Sequence, residues 1–321
     1  MKLMDIFFSL KSDIDVVERR LLDEVQTSQR NLKKASTHLL KAGGKRIRPV
    51  FVLLAGKFGK YDVDRLSKVA AALELIHMAS LVHDDVIDNA ELRRGTPTVK
   101  SEWGVQMAMY TGDFIFARAL VLLSEIPNVQ VHQLLSRSIV AMTEGEIEQI
   151  RDFYNTEQNL RTYLRRIKRK TALLLSISCT LGAIVADCPR PVVRLLERYG
   201  YYAGMAFQII DDILDLTSTA QKLGKPVGSD LRQGNLTLPV LYALEHAPER
   251  EWLRGTIRRE MTEEEAERAI QIVKSSGGLE YARRMADRYM EKCLHALEQL
   301  PALDARRKLQ SIAHFINERD H

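Results

Sequence analysis

Apolar residues recur at three- and four-residue spacing along almost the whole chain, the period of helices that bury one face. The run from Leu66 to Val86 shows it most fully. Val69, Leu73, Ile76, Leu81 and Val86 carry the stripe, alanines fill the intervals and no breaker interrupts. One long helix is predicted there, ending near Ala90. The same spacing predicts helices near 5–24, 28–41, 49–58, 103–124, 129–154, 157–186, 189–219, 235–246, 263–275, 278–299 and 302–319. Pro49, Pro127, Pro189 and Pro301 punctuate the gaps, since a residue without an amide hydrogen is tolerated at a first helical turn. Hairpin signals are missing, so almost no strand is expected. The pattern predicts an all-α chain, residues 1–321 forming one domain, with its helices packed as a large bundle.

Composition agrees. Hydrophobic residues make up 45% and charged residues 28% of 321 positions, which excludes wholesale disorder. Only 17 Gly and 9 Pro are present, too few turn formers for a many-stranded barrel or sandwich. Cys179, Cys188 and Cys293 form neither a paired framework nor a CxxC metal site, and are read as reduced, buried thiols of a cytoplasmic protein. The apolar run near the start is too short for a secretory signal. The quiet stretch from Thr171 to Ala186 falls short of the ~20 residues a membrane span needs, so it reads as a core helix. The net charge of +5 leaves nucleic acid, an anionic membrane surface and a phosphorylated substrate open as partners.

Candidate chemistry lies in two acidic motifs of one design, Asp84-Asp85-Val86-Ile87-Asp88 and Asp211-Asp212-Ile213-Leu214-Asp215. On a helix, positions i and i+4 share a face, so Asp84 projects with Asp88 and Asp211 with Asp215. Such acids repel, and apolar neighbours raise the cost of keeping them charged. A positive partner is required, and hard carboxylate oxygens select Mg²⁺, Mn²⁺ or Ca²⁺ over Zn²⁺. One motif alone reads equally well as a solvated helix end; two of matching spacing and filler are much harder to read so. Together they suit a polyanion held through metal bridges, because six carboxylates repel a bare diphosphate.

Cations accompany the acids. Gly43-Gly44-Lys45-Arg46-Ile47-Arg48-Pro49 places three of them between a flexible turn and a helix start, where anions are favoured. Arg93 and Arg94 follow the first acidic motif and suit bidentate phosphate binding, or plain charge balance with the aspartates. Six of the ten residues from Arg161 to Lys170 are cationic. Most of that run reads as a solvated face, with Lys170, adjoining the apolar helix, as the member placed inside. Lys225 sits in a Gly-containing loop after the second motif, and His77 lies two helical turns before Asp84, on its side of the helix.

GGKRIRP, LVHDDVIDNAELRRG, Lys170-Thr171, FQIIDDILD and KPVGSDLRQGNLTLP together resemble the trans-prenyltransferase (polyprenyl diphosphate synthase) family in order and approximate spacing. The resemblance runs from about residue 35 to 245. Within the family, the chain looks most like the catalytic component of bacterial two-component synthases with a C35 heptaprenyl product. It implies an isoprenoid-synthase helical bundle around a central cavity. It also implies Mg²⁺, two or three ions, at Asp84, Asp88 and Asp211, with Asp85, Asp212 and Asp215 as further or water-mediated contacts. Lys45, Arg48, His77 and Arg94 would bind isopentenyl diphosphate. Arg93, Lys170 and Lys225 would grip the allylic diphosphate, with Thr171 and Gln208 at its reacting end. The small Ala79 and Ser80 would leave the product tunnel open beneath the first motif. A smaller regulatory subunit would complete a heterodimer, or two copies a homodimer when the chain is expressed alone. Nucleic acid is not expected, and membrane contact is at most peripheral.

One departure is plain. Where many members carry a second lysine in the late loop, this chain has Gly234-Asn235-Leu236-Thr237-Leu238-Pro239, which removes a phosphate contact and suits dependence on a partner. The rival readings are an HD-type metal phosphohydrolase, which has no use for the second motif, and a terpene cyclase, which lacks a second diphosphate site. A non-catalytic regulatory subunit would be expected to lose one acidic motif.

Overall fold

The computed structural model describes residues 3–44, 46–93, 95–219 and 226–319. Lys45, Arg94 and Lys225, all assigned above to diphosphate binding, lie outside them. In chain order the helices are α1 (Leu3–Ser9), α2 (Lys11–Glu24), α3 (Arg30–Lys41), α4 (Ile47–Gly56), α5 (Val63–Ile87), α6 (Val99–Ser124), α7 (Val129–Arg151) and α8 (Leu160–Ile167). A π turn, Lys168–Ala172, leads into α9 (Leu173–Val185). There follow α10 (Arg190–Thr217), α11 (Ser229–Arg232), α12 (Leu238–His246), α13 (Arg250–Thr256), α14 (Glu263–Ser275), α15 (Gly278–Glu298) and α16 (Asp304–Asn317). Among the described residues the strands are two-residue segments, Leu92–Arg93 and Thr96–Pro97, paired as a small antiparallel hairpin. The all-α expectation holds, with this hairpin as its one exception.

The chain forms two compact units. The first comprises Met1–Leu135, Ile177–Glu197 and Leu300–Leu309; the second comprises Ser136–Ser176, Arg198–Gln299 and Gln310–His321.

In the first unit α5 is the central element, packed most extensively on α6 and then on α4 and α2. Asp62 starts it, its side chain accepting from the amides of Asp64 (3.0 Å) and Arg65 (3.3 Å), a cap worth ~1 kcal/mol. The helix thus begins earlier than its apolar stripe. It also ends earlier, because Asp88 caps it and Asn89 turns left-handed at φ 52°. Leu66, Val69, Leu73, Leu75 and Ile76 are buried, each contributing roughly 1.5–3 kcal/mol of apolar burial. Both α5 and α6 are long and apolar enough to cross a membrane, by length and composition alone. The most apolar window of α5 is 72% buried, as in a core helix, whereas that of α6 is 39% buried.

In the second unit α12 packs against α15, α13 and α14, and α8 continues through the π turn. Asn159 caps α8 by accepting from the Thr162 amide at 3.1 Å, and Thr262 with Glu265 forms a capping box on α14. Helix α13 carries no long apolar stripe and was not anticipated from the pattern.

Candidate active site

The first acidic motif occupies the final turn of α5. Asp84 is half-buried and Asp88 exposed, and the Asp88 amide donates to the Asp84 carbonyl at 2.8 Å, so the two share one turn as their spacing predicts. Asp85 points inward and is buried; its Oδ1 accepts from Arg93 Nε (2.8 Å) and is 2.7 Å from Nη2. Charge balance, the plainer of the two readings of Arg93, is what the structure shows for it. Lys100, itself buried, holds the stretch after the motif by donating to Asn89 Oδ1 (2.6 Å) and Glu91 Oε1 (3.0 Å).

Several of the cation candidates meet in the same unit. Gly43, Arg46, Glu74, His77, Arg93 and Thr98 line one cavity of about 20 Å³, room for about one water. Arg46, however, is committed to the fold. It adopts a left-handed backbone (φ 45°) at the start of α4, and its buried guanidinium donates to Glu18, Glu74 and the Leu40 carbonyl. Of the three cations in the Gly-Gly-Lys-Arg-Ile-Arg turn, the middle one is therefore internal. Arg48 is half-buried on α4.

Ala79 and Ser80 differ in setting. Ala79 is 1% exposed, whereas Ser80 is half-buried on the Asp84 side, its hydroxyl donating to the His77 carbonyl at 2.8 Å. An aromatic at 79 would overpack the core, costing about 1–3 kcal/mol, whereas Ser80 is only half-buried and a larger side chain there need not displace core neighbours. On the activity that the resemblance implies, Ser80→Phe is expected to shorten the products with little loss of stability. Chain-length analysis of the extracted products checks it, and an unchanged distribution would remove this floor.

In the second unit, α10 presents its acids differently. Asp211 is exposed, with Arg319 Nη2 3.6 Å from its Oδ1 and the Arg319 guanidinium 4.7 Å from the Phe207 ring. Asp212 and Asp215 are each 3% exposed. Asp215 Oδ2 accepts from the Asp230 amide at 3.2 Å, which ties α10 to the start of α11. Asp212 accepts from the Tyr163 hydroxyl (2.6 Å) and from Gln208 Nε2 (2.9 Å). Burial, and then the nearby charge of Asp230, push its carboxyl up to about 8. The sharing of a face by Asp211 and Asp215 is thus real as spacing but unequal in access.

The π turn carries the last pair. Thr171 Oγ donates to Gln208 Oε1 at 2.6 Å, and Lys170 Nζ lies 3.3 Å from Glu146 Oε2. Lys170 is half-buried. The cation of the basic run that goes inside is Arg166, 5% exposed, which donates to the Leu236 carbonyl (2.5 Å) and Gln158 Oε1 (2.9 Å). Arg166 falls on the same α8 face as the buried Tyr163 and Ile167, and a helical count of that face would have found it.

Among the described residues no three His, Cys, Asp or Glu side chains form a metal-holding group. Mg²⁺ commonly takes only one or two carboxylates and completes its shell with water and phosphate oxygens. The donor chemistry fits that mode. All the reachable groups are carboxylates, Asp84 and Asp88 share one turn, and Asp211 reaches solvent. A nearby divalent ion would also hold these acids ionised.

Comparison with known proteins gives one answer. The polyprenyl synthetase family model matches residues 29–273. The chain is 52% identical over 321 residues, covering 100% of both sequences, to "Heptaprenyl diphosphate synthase component 2" of Geobacillus stearothermophilus. Its structure is similar to the crystal structure of heptaprenyl diphosphate synthase from Staphylococcus aureus, with TM-score 0.94 and 43% identity, covering 97% of this chain and 99% of the other. It is equally similar, at TM-score 0.94 and 34% identity, to a polyprenyl synthase from Caulobacter crescentus CB15 complexed with calcium and isoprenyl diphosphate, covering 100% and 98%.

Proposed function

The chain belongs to the polyprenyl synthetase family, and from that premise we propose that it is the catalytic component of a two-component, all-trans heptaprenyl diphosphate synthase. It condenses isopentenyl diphosphate head to tail onto an allylic diphosphate, farnesyl diphosphate favoured, until a C35 chain is made. The observation that carries this reading is the end-to-end likeness to a component 2 protein, 52% identical over all 321 residues.

The chemistry is ionisation, condensation and elimination. Asp84, Asp88 and Asp211 would hold Mg²⁺, two or three ions, which when bound would supply charge neutralisation to the diphosphate. Lys45, Arg48, His77 and Arg94 hold isopentenyl diphosphate. Arg93, oriented by Asp85, grips the allylic diphosphate with Lys170 and Lys225. Lone pairs of Thr171 Oγ and Gln208 Oε1 face the allylic carbon as it becomes cationic. The double bond of isopentenyl diphosphate attacks that carbon, and the proton then lost passes to the released diphosphate. No covalent nucleophile is required.

An exposed apolar face supports the need for a partner. On α6, Val105, Met109, Tyr110, Leu120 and Val121 are between 39% and 57% exposed, and large apolar side chains exposed in such number on one helix suit an interaction surface. The setting proposed is the cytoplasm, with at most peripheral membrane contact when the apolar product leaves.

The test is incubation with radiolabelled isopentenyl diphosphate, farnesyl diphosphate and Mg²⁺, with and without extract of the host cell. A heptaprenyl product made only with extract is expected. Full activity of the chain alone would overturn the two-component reading, and no condensation in either arm would overturn the function.

A further inference from the structure

The second acidic motif places two adjacent aspartates in opposite situations. Asp211 is exposed, whereas Asp212 has each carboxylate oxygen engaged by a neighbour inside the second unit: Oδ2 by the Tyr163 hydroxyl at 2.6 Å, Oδ1 by Gln208 Nε2 at 2.9 Å. The Gln208 amide turns its NH₂ toward Asp212 Oδ1, which accepts, and its carbonyl toward Thr171. The Thr171 hydroxyl completes the chain by donating to that carbonyl at 2.6 Å. We propose that Asp212 is no metal ligand but the anchor of a hydrogen-bond relay, Tyr163–Asp212–Gln208–Thr171, and that Tyr163 is the positioning residue that sets the Gln208 carbonyl toward the reacting end of the allylic substrate. The proposal rests on the functional reading above, in which Thr171 and Gln208 line that end.

The surroundings of Tyr163 suit such a role. Its side chain is 0% exposed, and the Arg166 guanidinium lies 5.6 Å from its ring centre, held by the Leu236 carbonyl and Gln158. The π turn brings both ends of the relay to one side of the helix. In an uninterrupted α-helix, residues eight apart are offset by about 80°. A π turn absorbs one extra residue, which reduces the offset of Tyr163 and Thr171 to about 20°. With the relay in place, a carbonyl dipole is already aimed where positive charge develops, and none of the reorientation has to occur during the reaction.

The deciding measurement is binding of Mn²⁺ by the full chain in the presence of inorganic pyrophosphate, followed by electron paramagnetic resonance. Asp211→Asn is expected to weaken binding about tenfold or more. Asp212→Asn should leave Mn²⁺ affinity at that of the unaltered chain, because its amide can accept from Gln208 and donate to the Tyr163 oxygen. Tyr163→Phe should lower kcat about ten- to a hundredfold, with Mn²⁺ affinity and KM for isopentenyl diphosphate unchanged. A merely structural tyrosine would lower the melting temperature and leave the kcat of the folded protein intact. Loss of Mn²⁺ by Asp212→Asn equal to that of Asp211→Asn would overturn the proposal, as would an unaltered kcat in Tyr163→Phe. If Tyr163→Phe does not fold, Asp212→Asn decides. No Mn²⁺ binding by the unaltered chain would overturn the functional reading itself, a result distinct from either.

Discussion

Asp84→Asn and Asp211→Asn are each expected to lower turnover by about 10²–10³-fold while shifting the melting temperature by no more than ~2 °C. The split follows from position. Asp84 is half-buried and Asp211 exposed, so an isosteric amide at either place empties no cavity. Each change does remove a full negative charge from a group assigned to hold the cations beside the leaving diphosphate. If both acids serve one leaving group, the double variant should lose far less than the product of the two single losses, because once one grip fails the other has little left to stabilise. Steady-state kinetics of the four proteins, with thermal denaturation alongside, gives the answer. Fully multiplicative losses would mean that the two motifs act on separate events.

Gly204→Ala should damage both activity and stability. A Cβ built on Gly204 lies 2.5 Å from Ala172 Cα and 3.0 Å from Ala172 Cβ. The first neighbour is backbone and cannot swing aside, so the π turn and α10 must separate. The expected cost is about 1–3 kcal/mol of stability. The Thr171–Gln208 hydrogen bond spans the same seam one turn further along α10, and stretching it should lower kcat about a hundredfold. Gly204→Ser should behave alike. A stable Gly204→Ala protein of full activity would show that the seam tolerates movement and that the close approach carries no function.

The long helices were legible because their apolar period is strong. The predicted span 66–90 became Val63–Ile87, displaced at each end by a residue outside the stripe: the Asp62 cap before it and the left-handed Asn89 after it. The acidic pairs were legible as spacing, but their access to solvent was not. Asp85 and Asp212 look identical in sequence, yet one is balanced by Arg93 and the other meets two neutral donors, because Arg93 comes from a hairpin and Tyr163 from another helix, while Gln208 sits one turn earlier on α10 itself. Arg46 was hidden for a related reason. A basic residue after two glycines reads as solvated, while its acidic partners Glu18 and Glu74 are 28 residues away on either side. The kink at Gly104, where φ is 84° inside α6, could have been suspected from the glycine itself. The π turn could not: Lys168-Arg169-Lys170-Thr171-Ala172 has ordinary helix-forming composition, and only tertiary packing decides where an extra residue is accommodated.

A π turn is, in effect, an α-helix that has accepted a one-residue insertion. Deleting a single residue from Lys168–Ala172 would let the segment relax into an unbroken helix whose flanking turns keep their relative facing, because the bulge had already absorbed the extra residue. Tyr163 and Leu174 would still face as they do now. A further insertion, by contrast, finds no free bulge to absorb it and would turn Thr171 by roughly 100° against Tyr163, so the number of residues between the two is constrained more tightly upward than downward.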